Sequence, residues 1–205
     1  MIDPLVLLAF IPAALALNLT PGADMMFCLG QGLRAGGRPA VAASAGISLG
    51  SLVHVMLAGL GLGAAVAALP WLFDLIRWIG VAYLLWLAWK AFSRSTELPA
   101  PPQIAAGRAF RDGLLVNLTN PKVILFVLAF IPQFVNPAQP VLPQFLIFGA
   151  VLGLGGFVIN GAVGLFAGTA GRRLTGNPGA VRWLNRVSGG IFALLALRLA
   201  VLERA

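Results

Sequence analysis

Asn18-Leu19-Thr20-Pro21-Gly22-Ala23-Asp24 interrupts an apolar run long enough to cross a bilayer, and half a chain later Asn117-Leu118-Thr119-Asn120-Pro121-Lys122 does the same. Each phrase puts a proline and a charged residue where hydrocarbon welcomes neither. A break at corresponding places in both halves of a membrane chain is the best sequence pointer to a transporter's binding site. The two phrases therefore read as the halves of one site in a small carrier, with the breaks at Pro21 and Pro121 facing each other across the bundle.

Composition supports a bilayer setting. Of 205 residues, 60% are hydrophobic and 10% charged, against about 25% charged in a soluble domain. The apolar runs are continuous, not alternating, which excludes an outer-membrane barrel. A net charge of +8 raises nucleic acid as a partner, but the basic residues sit between apolar runs with no interleaved aromatic patch, so topology explains them. Cys28 is the only cysteine, which excludes an intramolecular disulfide and a cysteine-based metal site. Ala14-Leu15-Ala16 looks like a cleavage site, yet the stretch before it has no Lys or Arg and carries Asp3. The first span is therefore expected to be retained.

A helical span needs about 20 apolar residues. Six are expected, at about 5–29, 40–66, 70–92, 113–135, 141–169 and 183–202, separated by Gly36-Gly37-Arg38-Pro39, Pro70, a polar stretch from Ser93 to Arg108, Asn136-Pro137 and Gly176-Asn177-Pro178-Gly179. Arg34 and Arg38 follow span one, Arg94, Arg108 and Arg111 follow span three, and Arg172, Arg173, Arg182 and Arg186 follow span five. The loop after span four has no positive residue, and that after span two has none besides Arg77. Basic loops belong in the cytoplasm, so both termini are expected in the periplasm. Three spans per half means that the second half enters the membrane reversed. The fold expected is an all-α integral membrane protein of about six transmembrane helices, forming two inverted three-helix repeats. It is one transporter domain over 1–205, with repeat one at about 1–92, a polar linker at about 93–110 and repeat two at about 111–205.

Asp24 is the leading candidate for binding substrate or a proton, because a carboxylate inside a span usually faces a cavity or a partner. Pro21 has no N–H and obstructs the turn before it, which frees carbonyls such as that of Leu17. Gly22 lets the backbone open there. Lys122 is the natural counter-charge, either pairing with Asp24 or holding a substrate carboxylate; the competing account has it snorkelling to the headgroups. Asn18, Thr20, Asn117, Thr119 and Asn120 would add neutral hydrogen bonds beside Pro21 and Pro121, and the alternative for them is helix–helix bonding. His54 reads better as a packed histidine bonded to a neighbouring helix than as a proton relay. Asp74 and Arg77 read as a local ion pair, and Asn160 as a further polar lining residue.

Gly32-x-x-x-Gly36, Gly46-x-x-x-Gly50, Gly59-x-Gly61-x-Gly63, Gly149-x-x-x-Gly153 and Gly164-x-x-x-Gly168 suit close helix contact in lipid. None is followed by the Lys-Ser/Thr of a phosphate-cradling loop, so no nucleotide is implied. No cofactor, metal or catalytic residue is expected, and the protein is not read as an enzyme: one His and one Cys in separate spans make no nucleophile–base pair. A cation carrier, the nearest alternative, would want more buried carboxylates than Asp24 alone.

The stretch Leu19-Thr20-Pro21-Gly22-Ala23-Asp24 followed by Gly32-Leu33-Arg34-Ala35-Gly36 resembles the opening of the LysE/RhtB amino-acid exporter family. Gly80-Val81-Ala82-Tyr83-Leu84-Leu85-Trp86, Phe110-Arg111-Asp112-Gly113 leading to Asn117-Leu118-Thr119-Asn120-Pro121-Lys122, and Pro132-Gln133-Phe134 are similar to later blocks of the same family, in the same order. The resemblance implies a small inner-membrane carrier exporting amino acids or similar metabolites, coupled to the proton gradient. Its partners would be a small-molecule substrate, a proton and the lipid bilayer, with a homo-oligomer allowed and nucleic acid excluded. The family's substrate range is wide, so the resemblance does not choose among lysine, threonine, homoserine and other compounds.

Overall fold

Both interrupted phrases break their helices. The computed structural model describes residues 2–68, 71–93, 105–167 and 178–201. In chain order its helices are α1 (Pro4–Leu19), α2 (Ala23–Ala35), α3 (Gly37–Ala68), α4 (Trp71–Ser93), α5 (Ala106–Leu118), α6 (Pro121–Ala129), α7 (Val141–Leu165) and α8 (Pro178–Val201). A short 3-10 turn, Ile131–Phe134, follows α6, and no strand occurs among the described residues.

The pairs α1–α2 and α5–α6 are each bent by 53°. Such a deflection leaves the second helix travelling onward, so each pair is one broken crossing. Without the Pro21 N–H, the turn behind it loses a bond, and α1 ends with the Thr20 N–H donating to Ala16. In the second half Asn120 caps α6, its side chain accepting from the Lys122 N–H at 3.0 Å, and Pro121 occupies the first helical turn, where its missing donor costs nothing.

Helix directions follow from which residues meet. Ser44 and Ser48 on α3 donate to the Phe157 and Gly153 carbonyls of α7 at 2.8 and 2.9 Å, so α3 and α7 are antiparallel. A Cβ at Gly46 would strike the Phe110 backbone and one at Gly50 the Asn117 side chain, so α3 runs parallel to α5. Phe10 meets Phe148, and Asn18 donates to the Leu152 carbonyl at 3.1 Å, so α1 and α7 are parallel. Phe10 also meets Phe126 and Phe130, whereas Lys122 reaches Leu17 and Thr20, so α1 and α6 are antiparallel.

Since α3 and α5 run the same way, the chain must cross once more between them. At 1.5 Å per residue, α4, with 23 residues, reaches about 35 Å, and α8, with 24, is as long. By length and composition α3 and α7 are unbroken apolar spans, and with each bent pair taken as one span the described residues give up to four. Outward-facing Leu57, Trp89, Leu154 and Leu194 are each about 60% or more exposed, which suits a surface that meets lipid.

Span boundaries differ from expectation in three places, one being the last helix, which begins at Pro178 and not 183, so Pro178 and Gly179 of the expected turn are helical. The first crossing runs on to Ala35, not 29. The fourth begins at Ala106, so residues 106–110 of the expected linker are helical. That first turn and a half is amphipathic: Arg108 and Arg111 are exposed, while Ala109 and Gly113, four apart, are buried. Hydropathy alone undercounts such a stretch because its polar face meets water. Pro70, Arg94, Arg172, Arg173 and Gly176-Asn177, and the side chains of Asp74 and Arg77, lie outside the described residues.

Several of the paired glycines are contact points, though a Cβ at Gly61 would meet nothing within 4 Å. Gly149 faces Val55 of α3, and Gly164 faces Ala40 and the Cys28 carbonyl. Gly36 has a different task. It ends α2 with φ 87° and ψ −176°, a conformation only glycine adopts readily. A Cβ there would meet nothing within 4 Å, so the penalty for Gly36→Ala is purely conformational, about 1–3 kcal/mol. A lower melting temperature with unchanged transport per folded molecule is expected, measured by thermal challenge and counterflow on the same preparation.

Candidate functional site

The two broken spans meet at their breaks, and the polar groups freed by one are taken up by the other. Pro21 leaves the Leu17 carbonyl without its helical donor. The Lys122 Nζ donates to that carbonyl at 2.8 Å and to the Thr20 carbonyl at 3.1 Å. The ammonium thus caps the C-terminus of α1, where the helix dipole favours a cation. Gly22 makes room: a Cβ there would lie 3.2 Å from Nζ and 3.5 Å from Cε.

Asp24 completes the exchange from the other side of the break. It lies in the first turn of α2, where backbone N–H groups favour an anion, and is 7% exposed. Its Oδ2 accepts from the Asn117 amide at 2.9 Å and its Oδ1 from the Asn120 amide at 3.0 Å. Both donors belong to the second break. The Ser51 hydroxyl lies within 3.4 Å of both the Ile47 carbonyl and Asn117 Oδ1. The Asn117 carbonyl lies 3.3 Å from His54 Nε2.

Asp24 and Lys122 line one cavity with Leu17, Asn18, Met25, Ile47, Ser51, Val123, Leu152, Gly156 and Asn160. Its free space is about 10 Å³, about what one water needs, so the site is closed. Toward the end carrying the N-terminus it is sealed by aromatic packing. Phe10, fully buried, lies 4.8 Å from Phe148 and 5.3 Å from Phe134 between ring centres, and Phe126 lies 4.8 Å from Phe130. Toward the other end Cys28, Ala43, Ile47 and Ala109 pack together.

Of the residues singled out from sequence, the structure brings Asp24, Lys122, Asn117, Asn120, Asn18 and the Thr20 backbone to one place. Pro21 is buried at the break. Pro121 is exposed and acts through the backbone, in the first turn of α6. Thr119 is not brought in: its side chain is exposed and its hydroxyl bonds back to the Leu115 carbonyl at 2.8 Å. The Thr20 hydroxyl likewise bonds back, to Ala16, leaving its carbonyl for Lys122. Sequence reasoning missed the apolar lining, which carries no chemical signature, and Gly156, whose signal was the dense glycines of residues 149–164.

A closed polar cavity between two broken, antiparallel spans is the architecture of a translocator. The chain matches the LysE type translocator family over residues 15–203 and belongs to it. It is therefore a multi-pass membrane protein. It is 34% identical to an uncharacterized membrane protein of Vibrio cholerae, over 94% of this chain and 95% of that one. It is 32% identical to the homoserine/homoserine lactone efflux protein of Salmonella typhimurium, over 96% and 97%. To the leucine efflux protein of an Enterobacter species it is 30% identical, over 95% and 94%. No solved structure matches it.

Proposed function

We propose that this protein exports amino acids or closely related small metabolites across the inner membrane by alternating access, with proton movement through Asp24. One observation carries the reading: the carboxylate of one broken span is held by two amides of the other, so a change at Asp24 acts on the joint between the halves. Two primary amides facing one carboxylate suit its ionised form, which only accepts hydrogen bonds. A proton on Asp24 removes the charge that strengthens both bonds and leaves the protonated oxygen a poorer acceptor for its amide. Loading a proton would therefore loosen the joint.

The relatives that export homoserine, its lactone or leucine supply the substrate class. The equal 53° bends, the Asn-Leu-Thr phrase before each break and the antiparallel run of α1 and α6 support two inverted repeats that rock about the cavity. Export in the cell is tested by intracellular accumulation of the substrate in a deletion strain. Counterflow of a panel of amino acids in proteoliposomes tests it with pure protein, and absence of counterflow for every amino acid would remove the proposal.

Both termini are assigned to the periplasm. Arg34, Arg38, Arg108 and Arg111 are exposed near the junction of α2 and α3 and the start of α5, and basic loops stay in the cytoplasm. Alkaline phosphatase fused to the C-terminus should be active. Activity of a cytoplasm-only reporter at that position would overturn the orientation.

A further inference from the structure

Helix α7 turns Leu152, Gly156 and Asn160 toward the cavity, one every helical turn. Asn18 covers the middle of this stripe: its amide lies 3.0 and 3.2 Å from where Cβ atoms of Gly155 and Gly156 would be, and it donates to the Leu152 carbonyl. Asn160 lies one turn further along, about 6 Å. It is 3% exposed, and its buried Oδ1 has no hydrogen-bond partner.

That absence stands out against the rest of the lining. Asp24 accepts from two amides, Lys122 donates to two carbonyls, Asn18 donates to Leu152, and the Ser51 hydroxyl is within reach of two acceptors. Buried polar groups in native proteins are nearly always paired, by protein or by ordered water, and this cavity has room for about one water. An amide oxygen that no protein group pairs, on the wall of a site too tight for a substrate, is available to a partner that enters when the site opens.

We propose that Asn160 selects the substrate by hydrogen-bonding a hydroxyl at the end of its side chain, so that the carrier favours short hydroxylated amino acids over aliphatic ones. The inference rests on reading the cavity as the substrate site. In that site the charged groups at the breaks meet the α-ammonium and α-carboxylate, and Asn160 lies further along α7, at the side chain. A primary amide suits this task because it offers an acceptor and two donors without charge. An aliphatic side chain leaves that amide buried and unpaired. A site built to bond a hydroxyl discriminates strongly against the analogue that lacks one, whereas an apolar pocket discriminates weakly between isosteres. Relatives exporting homoserine and leucine match this chain at nearly equal identity. Asn160 is what separates the two kinds of substrate here.

The test is counterflow of homoserine and of leucine by the full chain in proteoliposomes, for the wild type and for Asn160→Leu, Asn160→Ala and Asn160→Ser. The wild type should prefer homoserine. The homoserine-to-leucine ratio should fall about tenfold or more in Asn160→Leu and Asn160→Ala, and less in Asn160→Ser, which keeps a hydroxyl. Because the readout is a ratio, it is independent of how much protein folds; if Asn160→Leu carries neither compound, the smaller variants decide. A ratio unmoved by all three substitutions, a wild-type preference for leucine, or transport of neither compound by the wild type overturns the proposal. Asp24→Asn and Lys122→Met separate the two levels. If they abolish transport while the Asn160 variants leave the ratio unchanged, the cavity stands and the selecting role falls. If they leave transport of both compounds intact, the cavity reading itself falls.

Discussion

Asp24→Asn is expected to lower gradient-driven export by about a hundredfold while the protein still inserts and purifies. The substitution keeps the size of the side chain, but an amide has one acceptor oxygen where the carboxylate has two. One of the Asn117 and Asn120 amides then faces an N–H₂ group. A hydrogen bond to a charged group is worth about 1.5–3 kcal/mol, which alone shifts the balance between joined and parted breaks by about ten- to a hundredfold. Loss of the ionisable group also removes the proposed proton site. Uptake into inside-out vesicles should therefore lose its stimulation by an imposed pH gradient. Stimulation equal to that of the wild type would leave Asp24 with only a tethering role between the halves.

The break at Pro21 was legible because it follows from covalent structure. A proline withholds one N–H, and counting back four residues identifies the Leu17 carbonyl as the one released. What takes that carbonyl was not legible: Lys122 lies 105 residues away in sequence, and only the approach of the two spans brings it there. Sequence reasoning offered Lys122 a substrate carboxylate, Asp24 or the headgroups as partners, and overlooked the helix end that its ammonium caps. Asn117, Thr119 and Asn120 show a similar limit. All three are polar neighbours of one break, but the backbone of the break decides which face inward: Asn117 lies in the last turn of α5, Thr119 caps its C-terminus and Asn120 is extended ahead of α6. Asn117 and Asn120 reach Asp24, and Thr119 points outward. The close contacts at Gly46, Gly50, Gly149 and Gly164 were legible, but not that the contact at Gly50 is made with Asn117 itself.

The same logic explains why the site is polar and closed at once. A broken helix in a bilayer exposes carbonyls at one end and N–H groups at the other. In this protein the carbonyls of α1 receive an ammonium and the N-terminal turn of α2 carries a carboxylate, both tied to the opposite break. The two interruptions satisfy each other, so neither half is complete alone. Under the proposed alternating access, opening the cavity toward either side would disturb these bonds, giving substrate or proton a hold on the conformation of the carrier.

Lys122→Met should be the more damaging substitution for stability. Methionine fills much the same volume beside Gly22 but donates no hydrogen bond, leaving the Leu17 and Thr20 carbonyls without the ammonium that now bonds them. Each buried group left unpaired costs about 1–3 kcal/mol. Relief from keeping a charge inside the bundle offsets part of this. For a chain of this size, 1 kcal/mol corresponds to about 2–4 °C, so a fall in melting temperature of about 5–15 °C is expected in detergent. Transport should drop by about a hundredfold as well, because the cap on α1 and the positive charge of the cavity are lost together. Lys122→Arg discriminates between those two losses. It keeps the charge, but its guanidinium is broader than an ammonium and must fit where Nζ would already lie 3.2 Å from a Cβ on Gly22. Recovery of the melting temperature without recovery of transport would assign the capping to charge and the transport defect to fit. A Lys122→Met protein that melts and transports like the wild type would show that the break at Pro21 stands without its cap.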